Sequence, residues 1–101
     1  MAEEPRPPYE EDLREALDRV GVSDILVNAL SAAASIGFHR LSAEARDLDQ
    51  VRLAIESLRA LDPVLREAGV DEAIVRDLEQ ARTNLQLAYA KAVSEETPAD
   101  E

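Results

Sequence analysis

The chain has 101 residues, with 22 Asp and Glu against 11 Lys and Arg, a formal net charge of −11, 46% hydrophobic residues and no cysteine. One domain is the expectation at that length, and a larger multidomain enzyme is excluded. Disulfides, thiolate metal sites and thiol nucleophiles are ruled out, while the apolar content is too high for a fully disordered acidic chain.

Proline at positions 5, 7 and 8 among acidic neighbours predicts a disordered leader over residues 1–9. From Glu10, Leu13, Leu17 and Val20 recur in steps of four and three and Gly21 offers a stop, which predicts a short amphipathic helix near 10–20. So short a helix is marginal alone and must dock or fray.

The next helix is expected over about 23–41. Ser23 suits the cap, Asp24 suits the positive end of the helix dipole, and Val22 can staple onto Val27. Its apolar residues go round the whole cylinder, so it should be the central helix or half of an interface.

Asp47 with Gln50 three residues on opens a helix expected over 47–68, with Leu48, Val51, Ile55, Leu58 and Leu61 or Leu65 along one stripe. Asp62 followed by Pro63 predicts a break at 62–63, because proline removes an amide donor and disfavours a helical residue before it. Pairs one turn apart, Arg52 with Glu56 and Asp62 with Arg66, are expected along its surface. Gly69 ends the segment.

Val70 and Asp71 repeat the staple and cap before a last helix expected over 71–93, where Ile74, Leu78, Ala81, Leu85, Ala88 and Ala92 form a heptad-like seam. Residues 94–101 read as a disordered acidic tail. No strand is predicted, since nothing alternates with period two. The fold class expected is all-α: a small bundle of three main helices in a domain spanning 10–93, with a short N-terminal helix.

Charge is concentrated at the ends. Residues 1–23 and 93–101 each carry a net −4, and residues 24–92 only −3. Direct binding of nucleic acid is therefore disfavoured, because phosphate contacts need clustered Lys and Arg, and an acidic nucleic-acid mimic comes last among the readings. The N-terminus lacks the features of a signal peptide, and the longest uncharged stretch, Ile25 to Phe38, has 14 residues, short of the roughly 20 that cross a bilayer. A soluble, cytoplasmic chain with no membrane partner is expected.

Chemistry-bearing constellations are scarce. The single histidine, His39, stands near a helix C-terminus, which favours a cation, without a nearby cysteine, Ser-Asp constellation or second histidine. Adjacent carboxylates such as Asp71 and Glu72 diverge by about 100° on a helix and do not converge on a pocket. The three glycines are isolated, so no phosphate loop exists. No catalytic residue, cofactor or metal site is expected.

The most informative pattern is Ala29, Ala33 and Gly37 at spacings of four. Small residues so placed let another backbone approach to the lower end of the ~8–10 Å range, either inside the chain or between chains. One phenylalanine, two tyrosines and no tryptophan make a thin core, which tips the reading toward a homodimer. Ile25, Ala29, Ala33, Ile36 and Gly37 are the candidate interface.

Four stretches carry a family resemblance: Ala33-Ala34-Ser35-Ile36-Gly37, Asp47-Leu48-Asp49-Gln50-Val51, Ile55-Glu56-Ser57-Leu58 and Leu85-Gln86-Leu87-Ala88-Tyr89. Between Ser23 and Val93 the chain resembles the bacterial family known as domain of unknown function 1844. It departs from that pattern at Val51, where the family has alanine, at Gln86, where it has arginine, and between His39 and Arg46, which lacks the family's proline. The resemblance implies a small helical cytoplasmic protein with no catalytic residues to carry over. It also implies a link to translation, since the family is encoded near translation genes, including that of initiation factor three. The function expected is that of a non-enzymatic helical interaction protein with a basic protein partner. The alternative is a small enzyme or metal-binding subunit using His39 and neighbouring carboxylates.

Overall fold

The computed structural model describes residues 8–96. Four helices follow one another, α1 (Pro8–Arg19), α2 (Val22–His39), α3 (Leu48–Glu67) and α4 (Glu72–Glu96), with no strand among the described residues. The last three form an up-down-up bundle in which α3 and α4, α2 and α3, and α2 and α4 all pack together. The helix α1 touches none of them, and the radius of gyration is 19.4 Å, against about 13 Å for a compact chain of this length.

Each helix of the bundle begins where side-chain chemistry can hold its free amides. Asp47 Oδ1 accepts from the Gln50 amide at 3.3 Å, as the sequence predicts, and Asp71 Oδ1 accepts from the Ala73 amide at 2.8 Å. At α2 the cap falls two residues before Ser23, on Gly21, whose amide donates to Asp24 Oδ2 at 3.0 Å. Val22 is 74% exposed and does not form the expected staple. Gly69, at φ +83°, closes α3, with the Val70 amide donating to the Leu65 carbonyl at 3.1 Å. Helix α1 starts at Pro8, inside the expected leader, and proline's fixed φ suits a first helical position. The rest of that leader, and residues 97–101 of the expected tail, lie outside the described residues.

One expectation about α3 is corrected. The helix runs unbroken through Asp62 and Pro63, because Pro63 is exposed and the Arg59 carbonyl it leaves without an amide partner can be hydrated. Leu58, Asp62 and Leu65 on the opposite side are buried and hold the helix to its neighbours. Of the two alternatives for α2, the central place goes to α3, which buries Val51, Ala54, Ile55, Leu58 and Leu65, whereas α2 buries only Leu30, Ala34 and Gly37. Helix α4 supplies Val75, Leu78, Leu85 and Ala92 to the same core, with Ile74 of the expected seam 39% exposed.

The connection from α2 to α3 is fastened by arginine. Arg46 donates through Nε and Nη2 to the Leu41 carbonyl at 3.2 and 2.7 Å, and its Nη1 lies 3.6 and 3.7 Å from Glu95 and Glu96. Arg40 donates to the Ala45 carbonyl at 3.3 Å. This connection therefore docks on the far end of α4, which continues three residues past the expected end at 93.

Candidate functional site

The five residues of the predicted interface do not share one face. Ile25 and Ile36 are each 53% exposed and Ala29 is also exposed, but Ala33 is half-buried and Gly37 is buried. A Cβ on Gly37 would stand 3.1 Å from Ala54 Cβ and 3.2 Å from Leu85 Cδ2, so the close approach at that end of the stripe is made inside the chain. Steps of four advance about 40° round the helix beyond a full turn. The line from Ala29 to Gly37 consequently winds from solvent into the core.

A different line on α2 stays outside. Val22, Ile25, Ala29, Ala32 and Ile36, in steps of three and four, are all exposed. Val27 and Asn28 turn toward Val70 and Ile74 at the start of α4, with which they line a cleft, so this exposed seam lies on the opposite flank, beside α3. The adjoining part of α3 follows from its contacts. Asp62 and Arg66 turn toward α4, and Ala54 meets α2 at Gly37. The roughly 100° step per residue then puts Leu53, Ser57, Ala60, Leu61 and Val64 beyond Ala54, next to the α2 seam. Leu53 is 58% exposed and Val64 46% exposed. Neither line contains an Asp, Glu, Lys or Arg, in a chain where 33% of residues are charged.

Sequence periodicity did not single out the α3 half of this surface. Its one visible signal is Leu53, a leucine among Arg52, Glu56 and Arg59 on the side away from the core stripe. Helix α2 has 18 residues with Asp24 as its only charge besides His39, enough by length and composition to enter a membrane. Here it packs one side on α3 and α4.

Helix α1 presents the second unpartnered surface. Leu13 and Leu17 are 56% and 61% exposed and Val20 just beyond is 45% exposed, all on one side. The rest of the helix carries Glu10, Glu11, Asp12, Glu15 and Asp18 against Arg14 and Arg19.

Polar clusters are tied up in structure. The cleft between the starts of α2 and α4 contains Asp24 and Asp71, both occupied as caps. His39 is exposed at the end of α2, where its carbonyl accepts from Ser42 Oγ at 2.9 Å. Among the described residues no group of three His, Asp or Glu side chains is placed to hold a metal ion. Arg66 reaches across to α4, 2.9 Å from Glu79 and 3.2 Å from Glu72, instead of pairing with Asp62 as expected. Its hydrogen bond holds the Glu79 carboxyl below its usual pKa. Arg59, and not Arg52, lies near Glu56, at 3.7 Å.

Asp62 is the exception. It is 2% exposed, neither carboxylate oxygen has a hydrogen-bond partner, and its nearest cation is Arg82 Nη1 at 4.0 Å. Burial pushes its pKa up; Arg82 and Arg66 oppose that rise and Glu79 adds to it. The carboxyl is enclosed where α3 faces α4, and it meets Arg82 of α4 instead of solvent. No protein family, curated protein or solved structure matches the chain.

Proposed function

We propose that the protein is a non-enzymatic helical interaction protein of the cytoplasm that captures a basic protein through α1. The observation that carries this reading is a helix with an apolar stripe, Leu13, Leu17 and Val20, and an acidic remainder, touching nothing in its own bundle. A 12-residue helix is marginal in water unless that stripe is covered. Helices of this kind lay their apolar face in a groove of another protein. Five acids against two arginines favour a groove rimmed by Lys and Arg, which would steer the encounter and fix the register. A ribosomal or translation-linked protein has that chemistry, and the resemblance to domain of unknown function 1844 points the same way. Photocrosslinking in the native cell from position 17, in the wild type and in a Leu13→Asp chain, tests the proposal. A basic protein captured by the first and lost by the second is expected. No capture, or capture unchanged by L13D, would sink it.

A further inference from the structure

We infer that the charge-free surface formed by α2 and α3 is covered by a second copy of this chain, packed antiparallel about a twofold axis that passes near Ala29. This surface is separate from α1, so the inference stands apart from the capture of a basic protein.

Three observations select the occupant. The first is area. Val22, Ile25, Ile36, Leu53 and Val64 each leave about half or more of their surface exposed, and with the alanines between them they make one apolar patch of several hundred Å², the size that marks an interface. Monomeric proteins rarely leave so large an apolar patch wet.

The second is the order of side-chain sizes. Large residues stand at both ends of the α2 seam, Val22 and Ile25 at one and Ile36 at the other, and Ala29 and Ala32 form a waist between them. On the exposed edge of the α3 half Leu53 and Val64 again stand at the ends with Ser57 and Ala60 between, while Leu61 is half-buried against the core. Two helices that cross are closest at the crossing and diverge from it, so they need small residues at the centre and large ones outward. An antiparallel crossing at Ala29 sets Val22 of one copy against Ile36 of the other, and Ile25 against Ala32 and Ala33. The surface is thus complementary to itself, as a twofold contact demands.

The third is charge. A net −11 chain must bring together parts free of acid if two copies are to associate, and this is such a part. The chain's own α1 is not the occupant. It leaves α2 through Gly21, which is held extended at φ −88° and ψ 161° by the Asp24 cap, and it makes no contact with the bundle.

Two measurements on the full chain test the inference. Sedimentation equilibrium at tens of micromolar should give twice 11.1 kDa for the wild type, and Ala29→Glu should weaken association by roughly 100-fold or more, because it buries two like charges at the axis. Ala29 is exposed, so circular dichroism should show the bundle intact in that variant. The chain has no cysteine. Ala29→Cys should therefore oxidise to a disulfide-linked dimer, while Gln80→Cys, on the exposed side of α4, should not. A monomeric wild type would overturn the inference, whether α1 or a lipid surface then covered the patch. So would a dimer that survives A29E, or one that crosslinks through position 80 and not through 29. Capture of the basic partner by A29E remains as in the wild type if the two surfaces are independent.

Discussion

Asp62 of α3 and Arg82 of α4 face each other 4.0 Å apart, inside the bundle, with no hydrogen bond on either carboxylate oxygen or on Arg82 Nε. Asp62 is desolvated while the Arg82 side chain is 28% exposed, and the attraction of such a pair offsets the desolvation of the carboxylate only in part. Arg82→Leu alone strands the buried carboxyl and should cost about 3 kcal/mol, whereas Asp62→Leu with Arg82→Leu should be neutral or stabilising. Urea unfolding of the two single variants and the double variant measures this as a cycle.

The same carboxyl sets a pH dependence of unusual sign. Its pKa is raised in the folded state above the ordinary 3.8, so the folded chain holds a proton that the unfolded chain releases. Its contribution favours folding at low pH and declines as pH rises from 3.8 through the raised value. Glu79, held down by Arg66, acts in the opposite sense: its contribution is present above the ordinary 4.5 and is lost as pH falls through the lowered value. Asp62→Asn should therefore remove a decline in stability on the neutral side, and Glu79→Gln should remove a loss on the acid side. Urea midpoints from pH 3 to 7, each taken as a difference from wild type, separate the two.

Glycine serves opposite purposes at positions 37 and 69. Gly37→Ala gains about 1 kcal/mol of helix propensity. It also drives a methyl to 3.1 Å from Ala54 Cβ, an overpacking that costs about 1–3 kcal/mol, so a net loss near 1 kcal/mol is expected. Gly69→Ala meets no atom but imposes φ +83° on an alanine, for a loss of about 1 kcal/mol from backbone strain alone. Thermal unfolding should show both losses, and only the first should be eased, in part, by trimming Leu85, whose Cδ2 lies 3.2 Å from the added Cβ, to Val.

Salt should divide the two proposed contacts. Self-association of net −11 chains through an uncharged surface tightens as salt screens their repulsion, while capture of a basic protein by α1 weakens. Sedimentation and crosslinking yield, each measured from 50 to 500 mM NaCl, should move in opposite directions.

His39→Ala should leave helicity, mass and metal content unchanged, as befits an exposed residue at a helix end. A stoichiometric metal in the purified protein that disappears in this variant would favour the metal-binding alternative over the interaction protein.

What could be read in advance was the chemistry that acts over a few residues. The caps at Asp47 and Asp71 and the stop at Gly69 depend on side chains and backbone within one turn, and all three are where the sequence places them. The apparent stop at Pro63 failed because its cost depends on which side of the helix the proline occupies, a tertiary fact. Helix α2 was illegible for a related reason. Apolar residues all round it give periodicity no direction, and only docking against α3 and α4 decides that Leu30 and Ala34 turn inward while Ile25 and Ile36 remain outside. Arg66 likewise had candidate acids on both helices, and its reach to Glu79 becomes visible only once α4 is packed alongside.

The two-residue joint at Val20 and Gly21 divides the chain into a part that must fold and a part free to change. Since the bundle draws no contact from α1, substitutions on that helix leave core packing untouched. The capture proposed for α1 would then be open to retuning, or to grafting from one chain to another, without renegotiating the architecture that carries it.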